Sequence, residues 1–340
     1  MTQIPAPGVT PLPDTCDGTA VQRVTISNGT LSASFLTRGA ILQDLRLQGV
    51  AHSLTVGSPD TAAYAGPLCY FGALVGPVAN RIAGGTATLK GSKYEFDRND
   101  GGQATLHGGS TGTHTRNWDI DIARADRVTF TLSLPDGTGG FPGNRTVAAQ
   151  YALTGPDTLE LTVIAATDAA TWINFAPHGF WNLDGGPDLS GHSLQIAADY
   201  YLPADPTGLV TGAVAKVAQS DFDFRAARPI GPGTTPELDH NFCLSRIRRD
   251  PEPAVVLTGA SGLSLHVATS EPGVQIYDAA HGGGGGIMGH CGHPIGPYCG
   301  LAIEPQGWPD APNRPGFPPV RVESGTAVRQ ITRWRFVQPD

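Results

Sequence analysis

Short runs of alternating apolar and polar residues, broken every few positions by glycine or proline, decide what this chain can fold into. Val21 to Ile26, Leu31 to Phe35 and Ile41 to Leu47 are separated by turn signals such as Ser27-Asn28-Gly29. A period of two puts successive side chains on opposite faces of an extended chain. The pattern returns at residues 86–89, 118–122, 128–134, 146–153, 159–165, 193–197, 254–257, 263–268 and 327–336. With 45 glycines and 29 prolines in 340 residues, long helices of period 3.6 have nowhere to run. Strands at short, regular spacing with no amphipathic helices between them predict an all-β fold with few short helices, a large antiparallel β-sandwich or a barrel, of which the sandwich is the reading adopted. Residues 1–18 are rich in Pro, Thr and Asp without periodicity and read as a loose leader. Residues 19–340 read as one domain. The glycine run Gly282 to Gly286 has β-patterned sequence on both sides, so it reads as a mobile loop and not as a linker.

Thirty acidic residues against 22 basic ones give a net charge of −8 with the basic residues scattered. Nucleic acid and anionic membranes need a clustered positive surface, so a small neutral partner is expected instead. No apolar run reaches 18 residues, and Met1 to Gly8 lacks the basic and apolar regions of a signal peptide. Five cysteines, an odd number at irregular spacing, fit reduced thiols. The thiols and the missing signal peptide predict a cytoplasmic protein; nothing in the sequence fixes its oligomeric state, and a monomer or a homodimer is expected.

Chemistry concentrates in Gly300-Leu-Ala-Ile-Glu304-Pro-Gln-Gly-Trp308. Leu301 to Ile303 has the character of a strand end, and it delivers one carboxylate into a turn-rich segment. Gln306 and Trp308 add an amide and a broad apolar face, and that combination suits a sugar. Two histidine stretches accompany it. Leu106-His107-Gly108-Gly109 reads as a turn, and Pro177-His178-Gly179-Phe180-Trp181 follows the apolar run Thr171 to Phe175.

With Arg38-Gly39-Ala40, Val78-Ala79-Asn80-Arg81-Ile82, Phe222-Asp223-Phe224-Arg225, Leu238-Asp239-His240, Gly273-Val274-Gln275-Ile276-Tyr277 and Arg333-Trp334-Arg335-Phe336, these stretches occur in the order found in aldose 1-epimerases (galactose mutarotases). The chain resembles that family over roughly residues 20 to 338. The resemblance implies a large twisted β-sandwich with a sugar cleft on a concave face, and an enzyme that interconverts the α and β anomers of a free aldose without a cofactor. That reaction needs one base and one acid. By the resemblance, Glu304 is the base, His178 the acid at the ring oxygen, and His107 a second histidine nearby. Histidine suits proton exchange near neutral pH. Asn80, Arg81 and Asp239 would contact hydroxyls, with Gln275 and Tyr277 as rim or wall, and the glycine run would lie at the cleft rim. One position departs: Pro177 stands where relatives carry an asparagine, with consequences expected for substrate preference.

Two other readings come from the same residues. A non-catalytic sugar-binding protein on this fold would not need Glu304, His178 and His107 together. A sugar-phosphate epimerase would need a basic clamp, for which Arg81 and the group Arg246, Arg248 and Arg249 are the candidates. His281, His290, Cys291, His293 and Cys299 have zinc-ligand chemistry but match no common zinc spacing, so no metal site is expected there.

Overall fold

The computed structural model describes residues 4–16 and 18–339. The alternating runs are strands. Thr158–Thr167 turns Leu159, Leu161, Val163 and Ala165 inward, and pairs with Arg145–Leu153 on one side and Ala327–Val337 on the other. These three lie within a nine-stranded antiparallel sheet that begins at Asp119–Ala123 and ends at Arg228–Pro229. A four-stranded sheet holds Gly8–Cys16, Thr19–Ser27, Leu31–Leu36 and Ile41–Leu47 in sequence order. A six-stranded sheet has the order Phe180–Trp181, Leu301–Gln306, Gly273–Tyr277, Asp239–Cys243, Tyr200–Leu202 and Ala215–Lys216. Among the described residues the only helical segments are 3-10 turns of three to five residues.

One apolar cluster is shared by all three sheets. Phe35, Phe130, Leu161, Trp181, Ile303 and Trp334 belong to it. Phe35 lies with its ring centroid 4.3 Å from that of Tyr151, and Trp181 meets Trp334 at 5.9 Å. Aromatic pairs at these separations join the sheets face to face, which is the sandwich expected from the strand pattern and the family resemblance together.

The expected loose leader is corrected in part. Gly8–Cys16 is a strand, paired antiparallel with Thr19–Ser27 from Gly8 opposite Thr25 to Cys16 opposite Thr19, with a register shift between Pro11 and Thr15. It is the outer strand of its sheet, where proline is tolerated because one side of the backbone needs no ladder hydrogen bond. Its residues 8–11 are all exposed, so no inward-facing apolar set marks the strand in the sequence. A second correction concerns Leu301 to Ile303. This strand does not stop there but runs through Gln306, so Glu304 sits inside a sheet and not at the mouth of a turn.

Phe35→Ala removes a fully buried ring between two aromatic neighbours, and the expected loss of unfolding free energy in urea is about 3–5 kcal/mol. A loss below about 1 kcal/mol would mean that the sheets do not meet through this ring.

Candidate active site

Neighbouring strands of the six-stranded sheet place the polar groups in a row. Gln275 stands opposite Glu304 on one side and Asn241 on the other, and Asp239 stands opposite Tyr277. The Gln275 amide donates to Asp239 Oδ1 at 2.6 Å. His178 comes from a separate ladder, in which Ala176-Pro177 pairs with Leu74-Val75. Its N–H donates to Ala73 O at 2.8 Å and its carbonyl accepts from Gly72 at 2.9 Å, so the backbone is held on both sides. The imidazole then meets the carboxylate: His178 Nε2 lies 3.4 Å from Glu304 Oε1.

A third ladder supplies the facing wall. Arg81–Ala83 pairs with Ala104–Leu106, and just beyond its end Asn80 and His107 both adopt left-handed backbone, with φ of 62° and 53°. Such conformations are costly for residues with a Cβ and persist only where surrounding contacts hold them. Here the contacts are reciprocal. His107 N–H donates to Asn80 O at 3.1 Å, and Asn80 N–H donates to His107 Nδ1 at 3.2 Å. Because Nδ1 accepts, neutral His107 carries its proton on Nε2. Tyr70 packs its ring against His107 at 4.9 Å and His114 at 4.8 Å, and stacks on His178 at 5.9 Å. Arg81 donates from Nε to Asp100 Oδ2 at 2.7 Å, and its Nη1 lies 3.6 Å from Asp239 Oδ2.

These groups open into a cleft of about 780 Å³, within the range of small-molecule sites. Glu304 is 2% exposed and its Oε2 has no hydrogen-bond partner. Burial pushes its carboxyl well above the ordinary range, Asp239 adds to the shift, and Arg81 opposes it. Burial pushes the His178 imidazole down to about 4, and holds His107 well below its usual value, with His178, His114 and Arg81 adding to the second shift. The pair therefore favours one proton shared between two neutral groups over two separated charges.

The ligand atoms of His107, His178 and Glu304 lie within 4.8 Å of one another, a donor set that could hold a metal ion. The hydrogen bonding opposes it. A metal-bound histidine donates its other ring nitrogen, whereas His107 Nδ1 accepts the Asn80 N–H and turns a proton toward the cleft.

The sequence profile described as aldose 1-epimerase matches residues 22–335. The galactose mutarotase of Homo sapiens is 34% identical over 330 residues, covering 94% of this chain and 95% of its own length. The chain belongs to the aldose 1-epimerase family. The aldose 1-epimerase of Escherichia coli is 31% identical over 337 residues, covering 94% of this chain and 96% of its own. An aldose epimerase homologue from C. elegans superimposes with a TM-score of 0.87 at 26% identity, over 94% of this chain and 100% of that one. A galactose 1-epimerase from Lactobacillus acidophilus gives 0.84 at 26% identity, over 98% and 100%.

Most of the expected residues of this family member meet in the cleft. Glu304, His178, His107, Asn80, Arg81, Asp239 and Tyr277 line it, and Gln275 braces Asp239 from behind. Gly282 and Gly283 of the glycine run are at its mouth. Trp308 is a correction. It is buried, donates its indole N–H to Pro272 O at 2.8 Å and packs edge-on to Phe317, so it offers no face to a ligand in this cleft. The aromatic wall is Tyr70, Phe71, Phe180 and Tyr277. Gln306 is likewise wholly buried outside the cleft lining. Pro177 points away from the cleft, into a small void beside Leu74, Leu161 and Phe175, because successive residues of an extended segment face opposite ways. The expected effect on substrate preference therefore has no contact to act through. His290 and His293 direct Nε2 to the carbonyls of Gln43 and Gly185, and His281 faces Glu237, so the glycine-loop histidines do not converge. Tyr70 and Asp100 were missed, the first in a Gly- and Pro-rich stretch without periodicity and the second in a turn that reads as punctuation.

Glu304→Gln should raise thermal stability near neutral pH. A carboxyl whose folded pKa is raised destabilises the fold above its unfolded pKa, since the unfolded chain releases that proton more readily. The expected change in calorimetry is a rise of a few degrees, roughly what 1–3 kcal/mol of relieved burial gives for a chain of this size. A fall in melting temperature would show that the carboxylate supports the fold.

Proposed function

We propose that this chain equilibrates the α and β anomers of a free, neutral aldose by acid–base ring opening. The observation that carries the reading is the buried His178–Glu304 contact, with one carboxylate oxygen unpaired at the cleft floor. Glu304 takes the proton of the C1 hydroxyl while its O–H pair forms the carbonyl, the C1–O5 bond breaks, and O5 receives the His178 proton. Both side chains are then neutral, the form that burial favours. Rotation about C1–C2 presents the other carbonyl face, and closure returns both protons. His107, with its Nε2–H toward the cleft, donates to the ring oxygen or an adjacent hydroxyl. Asn80, Arg81 and Asp239 read hydroxyls, and Tyr277 forms a wall.

The sugar-phosphate reading loses its clamp: Arg248 pairs with Glu271, Arg249 with Glu252, and Arg246 lies over Trp308, all outside the cleft lining. A pure binder has no use for a buried acid–base pair, whose desolvation opposes folding. We also assign the chain to the cytoplasm, in keeping with five cysteines that, among the described residues, form no disulfide.

Polarimetry on a freshly dissolved pure anomer tests the reading. Glu304→Gln and His178→Asn should each lower turnover by about 10²–10⁴ with binding largely kept, and both directions should slow by the same factor. A Glu304→Gln protein at the parent rate would put the base elsewhere. For kcat/KM against pH the active form carries one proton on the pair. Activity should therefore rise as pH passes the imidazolium loss, at about 4, and fall where the raised carboxyl loses its proton. In His178→Asn only the carboxylate remains to titrate, so residual activity should instead climb with pH; a falling alkaline limb there would rule out this assignment. Chelation by EDTA should leave the rate unchanged, and loss restored by zinc would overturn the metal-free mechanism.

A further inference from the structure

The cleft lining carries five acidic side chains, Asp205, Glu237, Asp239, Asp278 and Glu304, against a single guanidinium, that of Arg81. That guanidinium is gripped from two sides. Asp239 lies on the cleft side at 3.6 Å, and Asp100, which does not itself line the cleft, takes the Nε–H at 2.7 Å. We propose that Asp100 is a positioning residue that sets substrate charge: by locking Arg81 between two carboxylates, it makes the guanidinium a reader of neutral hydroxyls and stops it from serving as an anion clamp.

Asp100 is built to stay in place. Its N–H donates to Ala104 O at 3.1 Å and its carbonyl accepts from Ala104 at 3.2 Å, with Gly101 and Gly102 supplying the left-handed residues of the turn. Asn99 fastens the same turn to the strand that ends at His107, accepting from Leu106 N–H at 2.8 Å and donating to Leu106 O at 3.1 Å. The turn thus registers Arg81 against His107. The ion pair is also sheltered, with side-chain exposures of 16% for Arg81 and 31% for Asp100. Burial alone would weaken the charge on Arg81, yet Asp239 and Asp100 together reverse that effect.

A guanidinium in this state has spent Nε, and the charge of its head is more than matched by two flanking carboxylates. Its remaining N–H groups still donate to hydroxyls, which require no net charge. A phosphate or carboxylate on the sugar would meet a negative field, and a bidentate grip on it would require pulling Arg81 from Asp100. This inference rests on the reading that Arg81 contacts the sugar.

The test compares D-glucose with D-glucose 6-phosphate on the parent, Asp100→Asn, Asp100→Ala and Asp100→Glu proteins. Asparagine keeps an acceptor for Nε and removes the charge, alanine removes both, and glutamate keeps the charge. Asp100→Asn should raise kcat/KM for the phosphate relative to the neutral sugar about tenfold, the order expected for one unscreened charge near a partly buried site. Asp100→Ala should also raise KM for the neutral sugar about fivefold or more with kcat within twofold, as loss of positioning predicts, and Asp100→Glu should restore both. A phosphate-to-neutral ratio within twofold of the parent in Asp100→Asn, or equal changes for both sugars in every variant, would overturn the proposal and leave Asp100 a structural turn residue. The same ratios measured as binding, by ligand-observed NMR on the four proteins, decide the role of Asp100 even if the parent fails to equilibrate anomers. That failure would sink the epimerase reading alone.

Discussion

The site depends on the cost of taking a carboxylate out of water. Glu304 lies inside a sheet strand, 2% exposed, with the His178 imidazole 3.4 Å from its Oε1. Neither can hold its charge cheaply in such a place, so each biases the other toward sharing a proton. Much of the surrounding structure serves to keep this unfavourable arrangement fixed: one ladder holds Glu304 against Gln275, another holds His178 against Leu74-Val75 and Ala73, and a third carries His107. The large apolar cluster between the sheets supplies the free energy against which a buried, half-satisfied pair is tolerated.

How much of this was legible depended on whether a strand has one wet face. Arg127–Leu134, Arg145–Leu153 and Thr158–Thr167 alternate because one side meets the core and the other meets solvent, and their limits could be read to within a residue or two. The strands that carry the site do not alternate. Leu301–Gln306 is buried at every position, and Gly273–Tyr277 at all but its last. Period-two reasoning has nothing to detect there, and these residues were found through their order along the chain, matched to a family. The same blindness explains Trp308, whose nearness to Glu304 in sequence suggested a sugar platform although the strand continues and carries it into a different apolar cluster.

Residues that act through others were invisible for another reason. Asp100 in Asn99-Asp100-Gly101-Gly102 has every property of an ordinary turn aspartate, and its contact with Arg81 appears only once the strand pairing of Arg81 with Leu106 is known. Pro177 presents the converse case. A substitution beside a reactive histidine looks consequential in a linear sequence, but in an extended segment neighbouring side chains face opposite sides, so the residue next in the chain is among the least able to touch the same ligand.

Tyr70 touches three imidazoles, those of His107, His114 and His178, and His107 and His178 also meet edge to face at 5.1 Å. Each ring blocks the torsions of its neighbours, so the cleft wall reaches the ligand with its rotamers already chosen. Ordering a free side chain on binding costs about 0.5–1.5 kcal/mol, and a wall of interlocked rings has met that cost during folding. A weakly held, highly hydrated molecule such as a monosaccharide gains most from this, because its hydrogen bonds to protein replace ones to water at little net advantage and the absence of an entropic penalty becomes a large share of the affinity.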